Sequence, residues 1–101
     1  MSEKSPISMR LKEARLAAGL SQKQLGILAG IDEFVASARM NQYETGKHTP
    51  DFSILSEIAR VLELPVAYFY VEDDVLAQII SLYGKLNINN KRNALKLIRQ
   101  L

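Results

Sequence analysis

Between Ser37 and Gln42 the chain carries Ser37, Ala38, Arg39, Asn41 and Gln42, and no carboxylate. The amides of Asn41 and Gln42 each offer a donor and an acceptor, a pair that matches the major-groove edge of adenine. The Arg39 guanidinium can grip guanine, and the methyl of Ala38 can lie against the methyl of thymine. Placed at about 100° per residue of an α-helix, Ala38, Asn41 and Thr45 share one side, with Ser37, Gln42 and Arg39 on its flanks. The other side holds Ala36, Met40 and Tyr43 at spacings of four and three, a narrow apolar stripe that should be buried. Polar residues on a helix usually just face water, but such a face often contains Glu, and this one does not. The chemistry these residues can perform is hydrogen-bond reading of base edges in a DNA groove.

That use requires elements that hold the amide side outward. Ser21, with Gln24 three residues on, forms a capping-box pattern that starts a short helix. Its first turn contains Gln22 and Lys23, where free amides, the positive helix end and an ammonium suit a phosphate oxygen. Leu25 and Leu28 are expected to turn inward, and Gly30 to end this helix in a left-handed conformation. The next helix is expected from Asp32 or Glu33 to about Glu44, with Gly46 as its stop. A capped helix, a glycine turn and a second helix make a helix-turn-helix, whose second helix enters the major groove. If the register were instead anchored at Gly30, Asp32, Glu33 and Phe34 would stand where base readers belong, and two carboxylates there would oppose binding to phosphate. Anchoring at Tyr43-Glu44-Thr45-Gly46 avoids this and makes Ser37 to Gln42 the readers. The polar loop Lys47-His48-Thr49-Pro50 follows, with Lys47 and the loop amides as backbone clamps. His48 is the sole histidine; it reads first as an exposed loop residue and second as a phosphate contact.

The remaining apolar pattern supplies the platform. Ile7, Leu11 and Ala14 line one side of a first helix that Gly19 stops. A further helix starts at Asp51 or Ser53 with Phe52, Leu55, Ile58, Ala59 and Leu62 on one side, Leu64-Pro65 breaks it, and Val66 to Phe69 form a last short turn. The pattern divides the chain into residues 1–70 and an appendage, 71–101, after the acidic triplet Glu72-Asp73-Asp74, read as a solvated linker. Ile79, Ile80, Leu82 and Tyr83 mark one appended helix, Ala94, Leu95, Ile98 and Leu101 another, with Asn87 to Asn90 as the turn. This helical hairpin has more apolar surface than it can bury alone. It either folds back on the bundle or meets the same hairpin of a second chain, and the second is favoured. A twofold dimer would match half-sites about 34 Å apart. Lys91, Arg92, Lys96 and Arg99 either add electrostatic attraction or form a solvated face.

Composition narrows the function classes. A length of 101 residues fits one compact domain plus an appendage, and 48% apolar content without a long hydrophobic run points to a soluble, cytoplasmic protein with no membrane span. With no cysteine there is neither a disulfide nor a thiolate metal site. One histidine, no cysteine and no glycine-rich phosphate loop leave no catalytic constellation, so no enzyme, metal or cofactor is expected. The net charge of +2 is modest, so binding to nucleic acid must rest on local placement. Six acids against two bases in residues 50 to 90 turn that side from a duplex.

Arg10-Leu11-Lys12-Glu13-Ala14-Arg15, Gly19-Leu20-Ser21-Gln22, Leu25, the run Asn41 to Lys47, Pro50 and the helix Leu55 to Leu62 together resemble the Xre and Cro-like phage repressor DNA-binding domain, over about residues 7 to 70. The resemblance implies an all-α, five-helix, lambda-repressor-like bundle, here with a C-terminal helical hairpin, that binds a double-stranded operator as a homodimer through its third helix. It also implies that Arg15 and Glu44 form a structural ion pair between the first helix and the end of the third. The sequence departs from the family pattern twice. The stretch from Gly30 to Gly46 is longer by about one helical turn, and Gly26 stands where the family generally has Ala, which should weaken that helix by up to about 1 kcal/mol. The combined expectation is a dimeric transcriptional repressor whose DNA contacts are Ser21, Gln22, Lys23, Ser37, Ala38, Arg39, Asn41, Gln42, Thr45 and Lys47. The competing expectation is an antitoxin-type module that binds a protein partner through residues 75–101 and DNA only secondarily.

Overall fold

The computed structural model describes residues 5–101, so the first four residues of the expected 1–70 segment lie outside the described residues. The chain is all-α: α1 (Ile7–Ala17), α2 (Gln22–Leu28), α3 (Ala36–Thr45), α4 (Phe52–Leu62), a 3-10 helix (Val66–Tyr70), α5 (Asp74–Tyr83) and α6 (Ile88–Arg99). The first four helices and the 3-10 helix make the five-helix bundle, and α5 and α6 follow it.

The starts of α2, α4 and α6 coincide with side-chain caps. Ser21 Oγ accepts from Gln24 N at 3.0 Å while Gln24 Oε1 accepts from Ser21 N at 2.8 Å, completing the capping box of α2. Asp51 caps α4 through Ile54 N, and Gly19, Gly30 and Gly46 carry the positive φ that ends α1, α2 and α3. Asn87 caps α6 by accepting from Asn90 N. The turn between α5 and α6 is therefore Gly84 to Asn87, not Asn87 to Asn90, and Asn89 and Asn90 belong to the first turn of α6.

Leu11, Leu25, Met40, Leu55, Ile58 and Phe69 are fully enclosed and form the centre of the core, with Ile7, Ala14, Ile31, Ala36 and Tyr43 around them. Two apolar residues expected inside are not. Leu28 is 53% exposed, because the inward side of α2 is set by Leu25, Gly26 and Ala29, where α3 packs, and Leu28 lies off that edge. Phe52 is 63% exposed in the first turn of α4, beyond the Leu55-Ile58-Ala59 layer.

Gly26 has a packing reason that its helix propensity hides. A Cβ built on Gly26 would stand 2.8 Å from Ala36 Cβ and 3.1 Å from Ala36 O. The missing side chain lets the start of α3 press against α2.

The acidic triplet does more than solvate a linker. Asp73 caps α5 by accepting from Val75 N and Leu76 N. Asp74 pairs with the buried Arg10 at 3.0 Å, and Arg10 also donates to the carbonyls of Val71 and Glu72. This guanidinium, 5.8 Å above the Tyr68 ring, ties α1 to the start of α5.

Candidate nucleic-acid interface

The stripe Ala36, Met40 and Tyr43 is buried, so the side of α3 carrying Ala38, Asn41 and Thr45 faces out of the bundle. The helix begins at Ala36, about one turn later than the expected 32–44 span. Asp32 looks like an N-cap, but its carboxylate accepts from Phe34 N at 2.9 Å and closes a local turn instead. Val35, whose side chain cannot cap, occupies the N-cap position. The extra length after Gly30 is thus spent on a turn, Asp32 to Val35, with Ile31 plugged into the core and Phe34 left 90% exposed.

Ser37, Ala38, Arg39, Asn41 and Thr45 are exposed, and Gln42 is half-buried. Asn41 Oδ1 accepts from Gln22 Nε2 at 3.2 Å, a link between the first turn of α2 and the middle of α3. Asn41 is exposed and its oxygen is engaged, which leaves its amide N–H groups for other partners. The same Gln22 nitrogen donates to Glu44 Oε1 at 3.2 Å. Arg39 Nη2 donates to the phenol oxygen of the buried Tyr43 at 3.0 Å, which draws its guanidinium toward the flank of the helix, away from the Ala38–Asn41 line.

Glu44, the acid at the end of α3, is held by a cation. Arg15 meets it bidentately, Nε to Oε2 at 2.5 Å and Nη2 to Oε1 at 3.0 Å, while Nη1 donates to Leu20 O. Both side chains are at most 10% exposed. The bond to Glu44 raises the Arg15 pKa above its ordinary value, against the desolvation that lowers it. The carboxylate is thereby neutralised beside the outward face.

The edges of this surface are basic and polar. Ser21 and Lys23 are exposed at the start of α2, and Lys47 and His48 are exposed in the loop after Gly46. That loop is tied to α3 by His48 N, which donates to Gln42 O at 3.2 Å. Sequence reasoning missed the Gln22–Asn41 bond, which joins residues far apart in the chain, and the tether between Arg39 and Tyr43, whose i, i+4 spacing was the available signal. No group of three or more His, Cys, Asp or Glu side chains able to hold a metal occurs among the described residues. Nor, among them, is any helix long and apolar enough to cross a membrane.

Residues 7–68 match the helix-turn-helix domain family. The chain belongs to that family. No curated protein matches it. Among solved structures, this helix-turn-helix protein is similar to the crystal structure of the transcriptional regulator BswR, at 47% sequence identity and a TM-score of 0.86, with 94% of each chain covered. That coverage exceeds residues 7–68, so the likeness of the helix-turn-helix chain reaches past the bundle into the two helices that follow.

Proposed function

We propose that this chain is a sequence-specific DNA-binding transcriptional regulator of the Xre and Cro-like type, acting as a dimeric repressor with α3 in the major groove. The observation that carries the reading is the outward side of α3: exposed amide and hydroxyl groups, no free carboxylate, and an apolar stripe that fixes it to the bundle. The likeness to BswR over nearly the whole chain, a protein described as a transcriptional regulator, supports the regulatory class.

In this reading Asn41, Gln42, Ser37 and Ala38 contact base edges, and Arg39 reaches a base only by leaving Tyr43. Thr45 borders the groove. Ser21, Gln22 and Lys23 at the start of α2, with Lys47 beyond α3, position the duplex through phosphate. Arg15 and Glu44 act in structure, by holding the end of α3 against α1. Residues 1–70 form the DNA-binding unit and residues 71–101 the assembly unit.

The test is selection of preferred duplexes from a randomised library, followed by fluorescence anisotropy on the best duplex and on a scrambled one. Asn41→Ala or Gln42→Ala is expected to lose about 1–3 kcal/mol on the selected duplex and to relax preference at one base pair. Lys47→Ala is expected to weaken both duplexes alike and to lower the salt slope by about one. Equal losses on both duplexes for the two amide variants would overturn the assignment of α3 as reader.

A further inference from the structure

The turn that precedes α3 holds an aromatic ring out in solvent. Phe34 is 90% exposed, more than any other aromatic side chain among the described residues. A lone exposed apolar side chain is ordinary on a protein surface, so exposure alone means little. The place and the support of this ring carry the argument. Ile31 plugs the start of the turn into the core and donates from its N to Gly26 O at 2.9 Å. Phe34 N donates to Asp32 Oδ1 at 2.9 Å, Val35 N to Asp32 O at 3.1 Å, and Arg39 N to Val35 O at 2.9 Å. The next residue, Ala36, is fully buried. The backbone that carries the ring is therefore tied down on both sides.

These bonds coil the chain before α3 begins. Phe34 precedes Ala38 by four residues, so it continues the outward line of Ala38, Asn41 and Thr45 by about one turn, roughly 6 Å toward the N-terminal end. In a helix-turn-helix that end of the second helix is the one that contacts base edges.

The chemistry of the turn selects what the ring meets there. A phenyl ring has no hydrogen bond to give or accept. Asp32 and Glu33 precede it, so this turn is repelled by phosphate and unsuited to the DNA backbone. The apolar group that base edges display in the major groove is the 5-methyl of thymine. We propose that Phe34 is a specificity-determining residue that packs its ring against a thymine methyl beside the base pairs read by Asn41 and Gln42. This rests on the proposed reading of α3 as the groove helix. Covering one methyl corresponds to about a fourfold gain in affinity, so the preference is secondary to that set by the amides of α3. Because the turn is ordered in advance, little of that gain is lost to fixing the backbone.

The test removes the methyl and nothing else. Each thymine of the duplex selected for the wild type is replaced in turn by deoxyuridine, which keeps every hydrogen-bonding group. Fluorescence anisotropy then compares the wild type with Phe34→Ala, Phe34→Leu and Asn41→Ala, and circular dichroism checks that each variant is folded. The wild type is expected to lose about three- to fivefold at one thymine, outside the base pair whose preference Asn41→Ala relaxes. Phe34→Ala should lose at least as much on the thymine duplex and be indifferent to deoxyuridine at that position. Phe34→Leu should keep part of the methyl sensitivity, and Asn41→Ala all of it. A wild type insensitive to deoxyuridine at every thymine overturns the inference. So does a Phe34→Ala variant that keeps the wild-type sensitivity, or one that weakens the thymine and deoxyuridine duplexes alike, which would assign the ring to sugar or to another protein chain. If Asn41→Ala relaxes preference while this coupling is missing, the reading of α3 stands and only the role of Phe34 falls. If selection yields no preferred duplex, both fall.

Discussion

Gly26→Ala sets two effects of opposite sign against each other at one atom. In an isolated helix the substitution would stabilise α2 by about 1 kcal/mol, because Ala loses less backbone entropy than Gly. Here the added methyl would meet Ala36 Cβ at 2.8 Å, Ala36 O at 3.1 Å and Ala36 Cα at 3.2 Å. None of these is the flexible end of a side chain, so the contact is relieved only by moving the start of α3 away from α2. Overpacking of a close-packed site costs about 1–3 kcal/mol. The net expectation is a loss of up to about 2 kcal/mol, which for a domain of this size lowers the melting temperature by about 4–8 °C per kcal/mol. Urea unfolding followed by circular dichroism measures it through the midpoint at unchanged slope. A variant more stable than the wild type would refute the reasoning, by showing that helix propensity outweighs the approach of the two helices. The same displacement would lengthen the Gln22–Asn41 bond, so DNA affinity should fall further than stability alone explains.

Three other outcomes follow from contacts around the interface. Glu44→Ala leaves the Arg15 guanidinium buried without its carboxylate and is expected to cost about 3–5 kcal/mol in urea unfolding, whereas a loss below 1 kcal/mol would show that solvent reaches the pair. Gln22→Ala frees Asn41 Oδ1 and should cost about 1 kcal/mol of preference on the selected duplex while leaving helicity intact; unchanged preference would mean that the bond does not orient Asn41. Tyr68 is pushed above the ordinary tyrosine range by burial and by the Glu13 carboxylate, against the opposing Arg10. A phenol whose folded pKa is raised stabilises the protein below its unfolded value, and that contribution is lost as pH rises through the folded one. Ultraviolet absorbance titration should therefore show a late phenolate phase that Tyr68→Phe removes, and its persistence in that variant would assign it elsewhere.

Much of the bundle was legible because period and punctuation agree. The stripe Ala36, Met40 and Tyr43 follows from helical spacing alone, and Ser21 with Gln24 specifies a start that needs no tertiary information. The beginning of α3 was not legible. Asp32 has the chemistry of a cap but uses its carboxylate on Phe34 N, and a local turn and a helix cap draw on the same acceptor. Leu28 and Phe52 were misplaced because periodicity shows which side of a helix is apolar, not how far the neighbouring helices reach along it. Arg10 reads as one more charge in a basic stretch; its carbonyl partners at Val71 and Glu72 lie beyond any local pattern. Of the interface, the outward residues of α3 could be named from spacing, while their orientation by Gln22 and Tyr43 required the packed structure.

Those two restraints make the outward surface of α3 unequal along its length. Arg39 must give up its bond to the Tyr43 phenol before it can approach a base, so any guanine contact by it gains only the difference between two hydrogen bonds. Asn41 can donate to a base edge without such an exchange, because its donor groups are free while Gln22 already holds its oxygen. A side chain fixed in advance loses less entropy on binding than one that must be ordered by the ligand. Discrimination should therefore concentrate at the base pair opposite Asn41, and the length and charge of Arg39 should matter more for the salt dependence of binding than for its sequence preference.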